Sequence, residues 1–153
     1  MSIVHSLRQS PALVLAGRNG NFAIGPDPGI RALWEQFMED FGRIEGQVGL
    51  KAYGVCHAFD GKGRMDYMAA AQVANAGAVP GYLHTLIIPA RKEAVFTHDG
   101  PLDTISATWA MIFSEAMPKA GLSVAPGPQY EVYPEDLGQE GAPGRITIHI
   151  PVA

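Results

Sequence analysis

Residues 25–46 read GPDPGIRALWEQFMEDFGRIEG, and residues 100–121 read GPLDTISATWAMIFSEAMPKAG. Both stretches carry Gly-Pro, then Ile30 or Ile105, then Trp34 or Trp109, then Gly46 or Gly121. Each match falls at an offset of 75 residues, and the two tryptophans are the only ones in the chain. Farther along, Tyr53-x-Val55 matches Tyr130-x-Val132 at an offset of 77, and Val73-Ala74 matches Val152-Ala153 at 79. Ordered matches at a nearly constant offset mark a duplicated unit. Small loop insertions account for the drift.

Each half reads as two strands, a helix and two strands. In the first half, Ile30, Leu33, Trp34, Phe37, Phe41 and Ile44 form an apolar stripe at helical spacing. This predicts a helix over residues 28–44. Strands are expected near residues 3–7, 12–16, 52–59 and 67–73, with Asp60-Gly61-Lys62-Gly63 as the turn between the last two. In the second half the predicted helix has Asp103 as N-cap and Ile105, Trp109, Ile112, Phe113 and Ala116 on its apolar face. Pro118 and Gly121 are expected to end it. Strands are predicted at 82–90, 93–97, 129–133 and 145–152. One helix on a small sheet cannot cover both faces, so the halves should pack together. The expected class is α+β: a duplicated β-(β)-α-β-β module with pseudo-two-fold symmetry, an antiparallel sheet, two helices and a central cleft. We read one domain over residues 1–153, with repeat one at 1–79 and repeat two at 80–153.

Composition narrows the classes further. A chain of 153 residues fits a single domain. Its 47% hydrophobic and 17% charged residues argue against disorder. No apolar run approaches the ~20 residues of a membrane span, and the N-terminal stretch lacks a secretory pattern. A single cysteine, Cys56, excludes an internal disulfide and suits a reducing compartment. A cytoplasmic location is therefore expected. Net charge is −4, and the 11 Lys and Arg residues are scattered. Without a basic stripe, neither direct nucleic-acid binding nor membrane attachment is expected.

Familiar catalytic motifs do not occur. There is no G-x-S-x-G, phosphate-binding loop or dinucleotide fingerprint. His5, His57, His84, His98 and His149 fall on predicted strands or turns without ligand spacing, so no metal and no cofactor are expected. Cys56 reads as a small buried hydrophobe. One residue stands apart. Glu131 interrupts the strand-forming run Gln129-Tyr130-Glu131-Val132-Tyr133, whereas its repeat counterpart is Gly54. Alternation puts Glu131 and Tyr133 on one face and Tyr130 and Val132 on the other. Either Glu131 faces outward from a half-exposed strand, or it lines the cleft among aromatics. A buried, unpaired carboxylate takes up a proton or awaits a cation.

Five segments carry a resemblance. They are Val95-Phe96-Thr97-His98-Asp99-Gly100-Pro101, Trp109, Pro118-Lys119-Ala120-Gly121, Pro128-Gln129-Tyr130-Glu131-Val132-Tyr133 and Ile148-His149-Ile150-Pro151-Val152. In these the second half resembles the GyrI-like effector-binding family. That group includes gyrase-inhibitory-protein-like proteins and the C-terminal domains of AraC-type and MerR-type drug-responsive regulators, and it neighbours the SOUL domains. The first half is similar more loosely, through Tyr53-Gly54-Val55, the Asp60–Gly63 turn and Tyr67. It departs at Arg64-Met65-Asp66-Tyr67, where the family tends toward an Arg-Tyr-Asp cluster.

The resemblance implies a cleft between the modules that takes lipophilic, often cationic, small molecules, with Glu131 inside it. It also implies Trp109, Tyr82, Tyr53, Phe96 and Tyr133 as aromatic walls, with His98 as a polar neighbour. The expected function is a stand-alone small-molecule-binding protein of the transcription-regulator effector type. Because no helix-turn-helix pattern occurs in these residues, transcription would be reached through a partner regulator. The rival is a hydrolase of reactive toxic compounds, with Glu131 as general base and Tyr133 as the group that orients water. In a third reading the cleft is closed and an outer face binds another protein.

Overall fold

A computed structural model describes residues 5–25, 27–136 and 145–153. The start of the strand expected at 3–7 and Pro26 of the repeat motif lie outside them. The elements run β1 (His5–Ser10), β2 (Leu13–Ala23), α1 (Pro28–Phe37), β3 (Gln47–His57) and β4 (Arg64–Val73). Then come β5 (His84–Ile88), β6 (Arg91–His98), α2 (Ile105–Met111), α3 (Met117–Ala120), β7 (Gln129–Tyr133) and β8 (Ile146–Pro151). All eight strands form one antiparallel sheet in the order β1-β6-β8-β7-β3-β4-β2-β5.

That order is a palindrome of the two halves. Each half places its first strand beside the other's second: β1 pairs with β6, and β5 with β2. At the centre β3 meets β7, with Gly54 opposite Glu131. Val55 opposes Tyr130 and Tyr53 opposes Val132 on either side of that pair. Residues 54 and 131 are repeat equivalents, so the pseudo-two-fold axis passes between them.

Both helices cover the same sheet face. Beneath α1, Phe37 packs with Ala16, Ala69 and Ala71, all wholly buried. Beneath α2 and α3, Ile112 and Met117 pack on Phe96, Ile148 and Ile150. The α1 N-terminus is capped by Asp27, whose carboxylate accepts from Gly29 N–H at 2.8 Å. Regular helix stops at Phe37, short of the predicted residue 44. Turns follow, with Phe41 N–H still reaching Phe37 O at 3.1 Å and Gly42 at φ 85°. Phe41 and Ile44 keep packing against the α1 core, which is why the apolar stripe outruns the helix.

The second helix also differs from expectation. Asp103 lies in a 3-10 turn, Leu102–Thr104, and α2 begins after it with no side-chain cap. Pro118 does not end the helix. A π-helical turn, Ile112–Ala116, precedes it, with Met117 N–H reaching back to Ile112 O. Proline lacks an N–H and crowds the preceding turn; the wider turn absorbs both defects. Gly121, at φ 68°, provides the left-handed stop.

β2 runs seven residues past the predicted strand end at residue 16. Its polar stretch is held across the sheet: Asn19 and Asn21 donate to Asp66 at 3.1 and 3.0 Å. Gly17 makes the close approach possible, because a Cβ there would strike the Ala69 carbonyl oxygen of β4. Among the described residues, no helix is long and apolar enough to cross a membrane.

Candidate functional site

Glu131 points to the helix-covered face from the centre of the sheet. It is only 7% exposed. Trp109 Nε1 of α2 donates to its Oε2 at 2.6 Å, and Tyr133 Oη donates to its Oε1 at 2.5 Å. Tyr67 of β4 also hydrogen-bonds the carboxylate. Tyr67 Oη in turn accepts from Trp34 Nε1 of α1 at 3.0 Å. The ring of Trp34 stands edge-on to Tyr133, with centroids 5.5 Å apart. Each repeat tryptophan thus reaches from its own helix to the same central cluster.

Burial pushes the Glu131 carboxyl above the usual glutamate value, against the pull of bonds from Tyr133, Trp109 and Tyr67 and of the nearby His98. Burial, and then the Glu131 charge, also raise both phenols, Tyr67 and Tyr133, above the ordinary tyrosine value. They stay protonated and serve as donors. Cys56 lies beside them, its thiol raised first by burial and then by Glu131. The assembly is a desolvated carboxylate ringed by N–H and O–H donors on aromatic supports.

Gly54 makes the room. Two side chains cannot share a pseudo-two-fold axis, and here one half supplies glutamate and the other supplies none. A Cβ at Gly54 would run into Tyr67 Oη and come within 2.9 Å of Glu131 Oε1. We expect Gly54→Ala to cost about 1–3 kcal/mol in a denaturant melt, as overpacking does. It should also disrupt any ligand site over Glu131, which a titration of the same variant would read.

The structure brings Glu131, Trp109 and Tyr133 together with His98 nearby, and does not bring Tyr53, Phe96 or Tyr82 to the carboxylate. Tyr53 lies on the opposite sheet face, its ring 6.2 Å from that of Tyr130. Phe96 is wholly buried in the core under α2. Tyr82 is 63% exposed. It lines a separate open groove of ≈ 360 Å³ with Arg18, Leu33, Gln36 and His84. His98 is a tether. Its ring contacts Thr108 Oγ1 at 2.7 Å and Pro101 O at 2.9 Å, fixing the start of the helix that carries Trp109. Trp34 and Tyr67 were absent from the sequence candidates. For Trp34 the repeat itself is the signal, since Trp34 is the counterpart of Trp109. Among the described residues, no group of three His, Cys, Asp or Glu side chains could hold a metal ion.

Comparison with known proteins agrees with this fold. The transcriptional regulator BrlR of Pseudomonas aeruginosa is 29% identical over 146 residues, covering 94% of this chain and 53% of BrlR. The chain spans about half the length of that relative. Among solved structures, SAV2435 bound to tetraphenylphosphonium superposes with a TM-score of 0.74 at 19% identity. That match covers 98% of this chain and 94% of SAV2435. The EcmrR C-terminal domain gives 0.68 at 18% identity, over 100% of this chain and 99% of that one. The profile of the GyrI-like small molecule binding domain matches residues 6–153, essentially the whole chain. With that profile matched over nearly its full length, the chain belongs to the GyrI-like small molecule binding domain family.

Proposed function

We propose that this protein binds a lipophilic, cationic small molecule between α1 and α2, with Glu131 as its counter-charge. The carrying observation is the buried Glu131 carboxylate, held among Trp109, Tyr133, Tyr67 and Trp34 with Gly54 opposite. A desolvated carboxylate is poorly stabilised by neutral donors alone, and a cation arriving there restores the missing charge partner. Aromatic faces add area and cation–π attraction. The tetraphenylphosphonium carried by SAV2435 has this chemistry. Relatedness to BrlR supports a role in sensing such compounds for transcription.

Intrinsic fluorescence tests this directly, because Trp34 and Trp109 are the only tryptophans and both belong to the cluster. Tetraphenylphosphonium should quench them saturably. Neutral triphenylphosphine oxide should bind at least ~10-fold more weakly, the loss of one desolvated charge interaction. Equal affinity for the two would remove Glu131 from the reading.

One observation favours a second reading, hydrolysis with Glu131 as general base. Tyr133 Oη sits 2.5 Å from a carboxyl already raised by burial, and such a pair suits proton abstraction from water. Position 54, directly opposite, is glycine and offers no second carboxylate. Turnover of an electrophilic ligand, rather than saturation by it, would mark this activity.

A further inference from the structure

The two halves diverge on the sheet face away from the helices. There the first half gathers Leu13, Leu15, Met68, Ala70 and Ile88 around Tyr53. Strand register maps each position onto the second half. Tyr53 opposes Ala70 as Tyr130 opposes His149, and Val55 opposes Met68 as Val132 opposes Thr147. Ala70 opposes Gly17 as His149 opposes Val95, which places Leu15 at Glu93, two residues back. Leu13 opposes Ile88 as Arg91 opposes Ser10. Five apolar residues thus become Arg91, Glu93, Thr147, His149 and Ser10, while the tyrosine is kept. The duplicated fold is built without polar groups at these positions in one half, so their presence in the other calls for a chemical reason.

Their hydrogen bonds supply one. Glu93 is fully buried. It accepts from Ser10 Oγ at 2.6 Å, Arg91 Nε at 2.9 Å, Tyr130 Oη at 3.1 Å and His149 Nδ1 at 3.1 Å. Burial alone would raise its carboxyl, but bonds from His149, Ser10 and Arg91 win and bring it down to about 2. An ionised carboxylate only accepts, so neutral His149 carries its proton on Nδ1. In that tautomer Nε2 is the acceptor, 2.9 Å from Thr147 Oγ1. Tyr130 stacks on the imidazole at 4.6 Å and 8°, holding its plane. His149 is buried and Thr147 half-buried, so the hydroxyl is the reachable end of the chain.

We propose that Thr147, His149 and Glu93 form a hydroxyl–imidazole–carboxylate relay that makes Thr147 a nucleophile toward small activated esters. The relay lies on the sheet face opposite Glu131 and is independent of the cleft. A nucleophile, a base within reach and a third group orienting the base define such a site. Thr147 Oγ attacks the acyl carbon as its proton passes to His149 Nε2. The bond to the leaving oxygen breaks, and that oxygen takes the proton from His149. Water then attacks the acyl-threonine, giving one proton to His149, which returns it to Thr147 as the acid departs. Glu93 is a positioning residue, holding the tautomer. β8 is paired on both sides at Thr147. Its amides are therefore engaged in the ladder and give an oxyanion no cradle, which limits the reaction to good leaving groups.

The test is p-nitrophenyl acetate with the intact chain, followed by peptide mass spectrometry. Release of p-nitrophenolate should accompany an acetyl group mapped to Thr147. Thr147→Val, nearly isosteric, should lower the rate ~100-fold, the scale of a lost nucleophile–base pair, and Thr147→Ser should retain most of it. An acetyl group found only on lysine or other histidines, an unchanged rate in Thr147→Val, or no release above buffer would each overturn the proposal. Mapping on the wild-type chain keeps the test decisive even if a variant misfolds.

Discussion

Glu131→Gln is expected to weaken tetraphenylphosphonium binding about 100-fold, the scale of losing one partner from a buried charge pair. Glutamine keeps the shape and one acceptor for Trp109 or Tyr133, so the loss isolates charge from packing. The pH dependence gives a second signature. The Glu131 carboxyl is raised in the folded chain, chiefly by burial. Its contribution to stability is complete below the ordinary glutamate value of ~4.3 and is lost as pH rises through the folded value. Wild-type melting temperature should therefore fall across that window relative to Glu131→Gln, which has nothing to ionise there. Cation affinity should run the other way, rising as the carboxylate forms. Paired melts and titrations from acid to neutral pH would show both trends. Affinity that is flat with pH, or a variant that binds like wild type, would show that Glu131 is not the counter-charge.

Much of this was legible in the residues, for identifiable reasons. Apolar stripes at Ile30–Ile44 and Ile105–Ala116 announced two helices, and the Trp34/Trp109 offset announced the duplication. Glu131 stood out because its counterpart is Gly54, and the register shows why that asymmetry exists at all: both lie on the axis. That Tyr53 lies away from Glu131 is legible in the repeat. Tyr53 matches Tyr130, and alternation had already turned Tyr130 away from Glu131. The positions of Tyr82 and Phe96 were hidden for a different reason. Aromaticity and nearness in the chain do not show how strands are ordered, and Phe96 stands two strands from Glu131 in the sheet. The exchange of β1 and β5 between halves is a non-local pairing that no local pattern encodes. The π-turn before Pro118 was likewise hidden, because proline alone reads as a stop.

The second large effect concerns Glu93, where a single substitution and a group substitution should act in opposite directions. Glu93→Leu leaves half-buried Arg91 and buried His149 without their carboxylate and strips the acceptor from Ser10 and Tyr130. Breaking a buried ionic cluster in this way costs ~3–5 kcal/mol. Replacing the whole cluster by the first-half set, Ser10→Ile, Arg91→Leu, Glu93→Leu, Thr147→Met and His149→Ala, should recover most of that loss. Tyr130 would then sit among aliphatic side chains, as Tyr53 does now. Acid melts separate the two states further. With its carboxyl at about 2, Glu93 contributes stability above the ordinary glutamate value that disappears as pH falls through that point. The five-residue variant should lack this acid sensitivity. If it is no more stable than Glu93→Leu, the polar cluster is part of the folding code of the second half. If it matches wild type, the fold never needed these groups, and a chain that keeps five polar residues, three of them buried, where its own repeat uses none is keeping them for chemistry.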